Sequence, residues 1–168
     1  MRYLFASVVL LCLSQTANAQ VLNDRESLRG LDGIGVFYRL EPDKLKEFGV
    51  EPGVIAAEVT LRLKKAGIRV LETDAEKKQA KGYPHLLTGV SVWRIAEDRI
   101  GFVISVSVLQ WMYLARAKET EALYLTTYNR PQVFGDAPLT ETGEALRTAV
   151  ADAVDKFAND YLAANPKR

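Results

Sequence analysis

Residues 86–113 read LLTGVSVWRIAEDRIGFVISVSVLQWMY, and this stretch decides the fold. Two runs, Leu86–Ile95 and Arg99–Tyr113, are rich in Val, Ile, Trp and Ser, side chains that suit a pleated, half-buried surface. Ala96-Glu97-Asp98 between them is a short polar turn, so the spacing predicts a β-hairpin. Val103–Leu109 (VISVSVL) is so apolar that it belongs at the centre of a sheet. Left at an edge, such a run would pair with other chains and aggregate.

Working outward, Gly33–Leu40 (GIGVFYRL) is a short apolar run bounded by Gly and Pro, as a strand would be. Glu41–Pro52 carries two prolines and Gly49 and reads as a connection with one helical turn over Asp43–Phe48. Pro52–Lys65 is the first full helix: Ile55, Val59, Leu63 and Ala66 recur at helical spacing, and Gly67 stops it. A short strand follows at Ile68–Leu71, then a charged surface loop at Thr73–Gly82. Beyond the hairpin, Glu121–Tyr128 adds a strand and Asn129–Pro138 a loop.

In the closing helix Leu146, Ala149, Val150, Ala153, Val154, Phe157, Tyr161 and Leu162 form one apolar stripe. Asp152, Asp155, Lys156, Asn159 and Asp160 fall mostly off that stripe. Such a helix has little reason to hold in water alone and must pack on the sheet. The predicted fold is α+β: a single mixed sheet of four to five strands, with two helices on one face, in the order β-α-β-β-β-α. Residues 31–168 form the single domain, after a loose polar lead-in at 20–30.

The chain starts with an export signal. Arg2 supplies the positive end, Leu4–Leu13 an apolar run, and Ala17-Asn18-Ala19 the small-x-small site, which places cleavage between Ala19 and Gln20. Residues 1–19 are the expected signal peptide, since the run is about half of the roughly 20 residues a membrane-spanning helix needs. Cys12 follows the bulky Leu11, where lipid attachment wants a small residue, so no stable membrane anchor is expected after cleavage. The address is therefore periplasmic or secreted.

Composition then removes function classes. Losing Arg2 leaves as many basic as acidic residues, a balance that disfavours nucleic acid. Losing Cys12, the only cysteine, leaves no thiol nucleophile, disulfide or thiolate metal site. His85 is the single histidine, which rules out multi-histidine zinc sites. Its setting, Gly82-Tyr83-Pro84-His85 at the start of a strand, reads as a solvated or edge-capping residue rather than the base of a triad. The glycines of Gly30-Leu31-Asp32-Gly33-Ile34-Gly35 precede a strand instead of a helix, so they do not form a dinucleotide loop. No catalytic residue, cofactor or metal ligand is assigned.

With helices on one sheet face, the other is free. Alternation puts Leu87, Trp93 and Ile95 on one side of the first hairpin strand, and Leu109, Trp111 and Tyr113 on one side of its partner. Tyr124 and Tyr128 share a side of the next strand by the same count. Trp93, Trp111, Tyr113, Tyr124 and Tyr128 are the candidate partner-binding residues, because Trp and Tyr dominate binding hot spots. Cross-strand packing is the ordinary alternative. Arg94, Arg116, Lys118 and Arg130 lie near strand ends, with surface charge as the ordinary reading and anion contact as the other.

The segment LDGIGVFYRLEPDKLKEFGVEPGVIAAEVTLRLKKAGIRVL (31–71), the long hairpin and the final FANDYLAANP resemble a group of uncharacterised exported bacterial proteins. In topology the chain is similar to the periplasmic α/β module of the TolB amino-terminal domain, the curli-secretion lipoprotein CsgG and activators of peptidoglycan synthases. That resemblance implies a module that binds other envelope components, and it carries over no catalytic residue. The expected function is thus a non-catalytic periplasmic accessory or binding module whose partner is an envelope protein or polymer. The alternatives are a small-molecule or lipid binder with its ligand between sheet and helices, and a hydrolase using carboxylates assembled by folding.

Overall fold

The computed structural model describes residues 24–112 and 123–166. The expected signal peptide with Cys12 lies outside them, as do Tyr113, Arg116 and Lys118. Five strands build one mixed sheet: β1 (Gly35–Leu40), β2 (His85–Arg94), β3 (Arg99–Met112), β4 (Leu123–Asn129) and β5 (Val133–Pro138). Between β1 and β2 come α1 (Pro42–Glu47), α2 (Pro52–Lys65) and α3 (Asp74–Gln79), and α4 (Thr142–Ala164) closes the chain.

The hairpin of β2 and β3 is the frame. It pairs antiparallel from His85 opposite Leu109 to Arg94 opposite Ile100. β1 runs parallel to β2 on its other side, with Gly35 opposite His85. The long β3 shares its second edge between two partners: β4 covers residues 107–112 and β5 covers 99–104. Its apolar run is thereby paired along that edge except at Ser105 and Val106, where the Arg130 N–H takes the Val106 carbonyl.

Alternation sorts the faces. Leu86, Val90 and Val92 of β2 and Ile100, Phe102, Ile104, Val106 and Val108 of β3 point one way and are buried. α2 brings Ile55, Val59 and Leu63 to that side, and α4 brings Leu146, Val150, Val154, Phe157 and Tyr161. Each wholly buried side chain of this size contributes about 1.5–3 kcal/mol, so this one layer is the main stabilising term. α2 begins with Pro52 in its first turn and ends at Gly67, whose φ of 75° lets the Ile68 N–H return to the Leu63 carbonyl. Among the described residues no helix is long and apolar enough to cross a membrane.

The expected fold class holds: an α+β fold with a mixed sheet and two main helices on it. Four local expectations do not. Thr73–Gly82 is not a loop, because Thr73 and Glu76 form a reciprocal capping box that starts α3. Glu76 also accepts a hydrogen bond from Arg69, and these bonds hold its carboxyl down at about 2. Asn129–Pro138 contains β5, whose pairing with β3 is a long-range event. Ile68–Leu71 makes only a single bridge, Ile34 to Val70. Within the stretch read as a lead-in, Leu28 is wholly buried, and Asn165 holds residues 28–30 through the Leu28 carbonyl and the Gly30 N–H.

Candidate functional site: the open aromatic face

The face of the sheet turned away from the helices carries Phe37, His85, Leu87, Trp93, Leu109, Trp111, Tyr124 and Phe134. Phe37, Trp93, Trp111 and Phe134 are 41%, 39%, 43% and 70% exposed, which is unusual for aromatic rings on a paired sheet. The rings gather at the two ends of the face. Between them the floor is bare, because Gly89 sits opposite Ser105 so closely that a Cβ there would meet the serine Oγ at 2.4 Å. Trp93 lies across Gly101, its cross-strand neighbour, where a Cβ would come within 2.9 Å of the indole. From that ring to Trp111 the sheet runs about 33 Å, taking about 3.3 Å per residue along β3.

The Trp111 end is the better built. Trp111 and Tyr124 are cross-strand partners with ring centroids 5.3 Å apart. The Trp111 N–H reaches the Gly82 carbonyl at 2.8 Å, which ties the end of β3 to the segment before β2. Tyr83 has φ of 49°, a left-handed backbone that costs a non-glycine residue about 1–2 kcal/mol. That turn brings the Tyr83 carbonyl 3.0 Å from His85 Nδ1 and the ring edge-on to the imidazole at 4.5 Å. Phe37 stacks on the imidazole from above, centroids 4.0 Å apart and within 8° of parallel. Gly35 lies beneath, and any Cβ there would clash with the ring at 2.6 Å.

His85 is therefore not solvated; its whole side chain is buried, against the expectation from sequence. The Tyr124 hydroxyl lies 2.6 Å from Nδ1, and either tautomer leaves Nε2 buried without a partner. Burial pushes the imidazole pKa below its ordinary value, helped by Lys77 and opposed by the Tyr83 carbonyl and Asp74. Burial, with Tyr83 nearby, also pushes the Tyr124 phenol up to about 12. The pair stays neutral near pH 7, and with Phe37 over it the imidazole acts as a packing post for Tyr124 rather than an exposed base.

A stability consequence follows. Because the folded pKa is lowered, the unfolded chain binds more protons between that value and the ordinary 6.5. The contribution of neutral His85 is then complete above about pH 6.5 and is lost as pH falls below it, at up to about 1.4 kcal/mol per pH unit. Urea unfolding from pH 8 to pH 5 is expected to show this slope in the wild type and not in His85→Phe. Equal slopes in the two proteins would refute it.

Of the five aromatic candidates, Trp93, Trp111 and Tyr124 lie on the open face, and Tyr113 is outside the described residues. Tyr128 does not belong to the set. A bulge on β4 puts Tyr128 opposite Val108 but Thr126 opposite Leu109, so Thr127 is the extra residue and the alternation flips. Tyr128 faces the helices, 2% exposed, edge-on to Phe157. Gln110 pins the bulge by donating to Thr127 Oγ1 at 2.7 Å. Phe37 and Phe134 were missed by sequence reading; alternation puts Phe37 on one side of Gly35–Leu40, but only its register opposite Leu87 assigns that side to the open face.

The basic residues are already engaged where they are described. Arg94 lies over the Phe48 ring at 5.7 Å and donates to the Glu97 carbonyl. Arg130 reaches Asp160 at 2.8 Å, as does Arg25 at 2.7 Å, and the Tyr128 hydroxyl donates to the same carboxylate. Asp160 is thus inside, 7% exposed, rather than off the apolar stripe. Asp24 and Asp160 line one hollow, but both Asp160 oxygens are taken by these donors. Among the described residues no three His, Cys, Asp or Glu side chains gather as a metal site. No protein-family model matches the chain, and no curated protein matches it.

Proposed function

We propose that the protein is a non-catalytic binding or accessory module of the periplasm or cell exterior, holding another envelope protein or polymer on its open sheet face. One observation carries the reading: large aromatic rings stay exposed on a face that no described element of the chain covers, while the opposite face takes both long helices. Exposed apolar patches of this kind mark interaction sites in single-domain proteins. Trp111 is the anchor, since Tyr124, His85 and Phe37 back it with a rigid floor that loses little entropy on binding. Trp93 and Phe134 form the second contact, at the far end of the bare glycine–serine strip. The export signal and the likeness in topology to envelope modules support the location.

The test compares wild type with Trp111→Ala in capture from envelope extract and in co-sedimentation with purified peptidoglycan. Retention is expected to drop by at least about tenfold, the effect of a hot-spot aromatic, with the circular dichroism spectrum unchanged. Identical retention by both proteins, or none by either, would overturn the reading.

A further inference from the structure

The two lateral edges of the sheet differ. On the β4–β5 side Thr127 bulges, Pro131 stands in the crossing, and β5 carries Asp136, paired to Arg99, and ends in Pro138. Bulges, prolines and charges of this kind keep an edge from pairing with another chain. β1 (GVFYRL) holds no proline, lysine or bulge, and its Val, Phe and Tyr suit a strand. The Gly35 N–H turns towards β2, to the Pro84 carbonyl, whereas the Ile34 N–H and carbonyl turn the other way, to Arg69 and Leu71. Alternation then sends the N–H and carbonyl groups of Val36, Tyr38 and Leu40 outward, and no described residue bonds to them.

This free edge is symmetric about Tyr38. At one end Ile34 is already taken by Val70, and at the other Pro42 has no N–H and starts α1. Two copies laid antiparallel with Tyr38 opposite Tyr38 set Val36 opposite Leu40 and Ile34 opposite Pro42, so the two stops coincide. Every outward group is then used, in about six backbone bonds, since each hydrogen-bonded pair exchanges two. The same register sets Phe37 opposite Arg39 on the open face. Arg39 is exposed and makes no ion pair or side-chain hydrogen bond among the described residues, and an aromatic face attracts such a cation. On the helix side Val36, Tyr38 and Leu40 are only half-buried, at the rim of the core. α2 lies over Tyr38, whose hydroxyl donates to the Ala56 carbonyl at 3.0 Å and lies 3.2 Å from Thr60 Oγ1. That flank of α2 carries Gly53, Ala56, Ala57 and Thr60, small enough for two helices to pack side by side.

We propose that β1 docks a second copy of this chain, giving a two-fold dimer in which the two sheets join across antiparallel β1 strands. The partner is a copy because the edge matches itself: its free groups, its two stops and its Phe37–Arg39 pair all repeat about one dyad. The ladder alone is small against the about 1,200 Å² that a stable pair buries, and the α2 flanks on the helix side add to it. The two open aromatic faces then run on from one protomer to the other through Phe37.

Sedimentation velocity of the protein, as the cell makes it, across about 1–100 μM is expected to show a monomer converting to a species of twice its mass. Hydrogen exchange is expected to slow with concentration at the Val36, Tyr38 and Leu40 amides, and less at Phe37, whose N–H already faces β2. Val36→Pro removes an outward N–H and leaves the β1–β2 ladder its bonds. It is expected to weaken the dimer at least about tenfold with an unchanged circular dichroism spectrum. Should that variant not fold, Arg39→Glu, at an exposed site, is expected to weaken the dimer about fivefold by setting a carboxylate against the Phe37 ring face. A monomer throughout, exchange at the three amides that does not slow with concentration, or full dimer affinity in folded Val36→Pro or in Arg39→Glu would overturn the proposal. Protection of those amides in the monomer would overturn it too, since the chain itself would then cover the edge. Trp111→Ala should dimerise as the wild type does, so failure here and failure of the aromatic face are separable.

Discussion

Phe157→Ala is expected to lower the stability of the protein by about 3–5 kcal/mol, the range for emptying a well-packed phenylalanine site. Phe157 is wholly buried at the centre of α4. Its ring meets Tyr128 edge-on at 5.6 Å and Tyr161 at 6.0 Å, so it joins the helix to β4 through aromatic contacts. Its helical neighbours Ala153 and Ala158 carry only methyl groups and cannot swing into the space left behind. For a domain whose whole stability is about 5–15 kcal/mol, such a loss approaches unfolding. Urea unfolding followed by circular dichroism should show a lower midpoint with an unchanged slope. Phe157→Leu, which refills most of the volume, should cost less than about 1.5 kcal/mol. A loss below about 1 kcal/mol for the alanine variant would mean that α4 does not pack on the sheet as described.

The second large effect is expected at Asp160→Asn, at about 2–3 kcal/mol. The carboxylate is nearly enclosed and receives Arg25 on one oxygen and Arg130 with Tyr128 on the other. The amide is almost the same size but brings two donors where only acceptors fit, and it leaves two guanidinium groups uncompensated. Removing one partner of a fully buried pair costs about 3–5 kcal/mol, and the figure is reduced here because Arg25 and Arg130 keep some access to water. The cluster joins the first described turn, the end of β4 and the end of α4, so the loss should be cooperative. A double-mutant cycle with Arg25→Ala is expected to show a coupling of at least about 0.5 kcal/mol, and strict additivity would count against the cluster.

Both effects rest on positions whose burial was legible in part. Phe157 belongs to the apolar stripe and reads as core directly. Asp160 is three residues after Phe157 and four before Ala164, which places it on the same stripe, but its charge argued for solvent. Only the arrival of Arg25 from the chain start and Arg130 from the β4–β5 crossing makes its burial affordable. His85 follows the same logic. Its position at the start of β2 was readable, whereas its burial depends on Phe37 and on the absence of a side chain at Gly35, both contributed by a strand fifty residues earlier in the chain.

Local periodicity by itself determined the hairpin, the helix at 52–65, the closing helix and the division of β2 and β3 into two faces. Those are properties of neighbours in sequence, where side chains repeat every two or about 3.6 residues. The T-x-x-E start of α3 is equally local, although the charged composition of Thr73–Gly82 points to a loop. Only the tertiary structure decided which face the helices cover, because both faces of β2 and β3 carry apolar residues and the choice depends on where the connections cross. It also decided that Tyr124 and Tyr128 part company, since one extra residue at Thr127 reverses every side chain beyond it. The open aromatic face arises from such long-range pairings, which no stretch of sequence encodes alone.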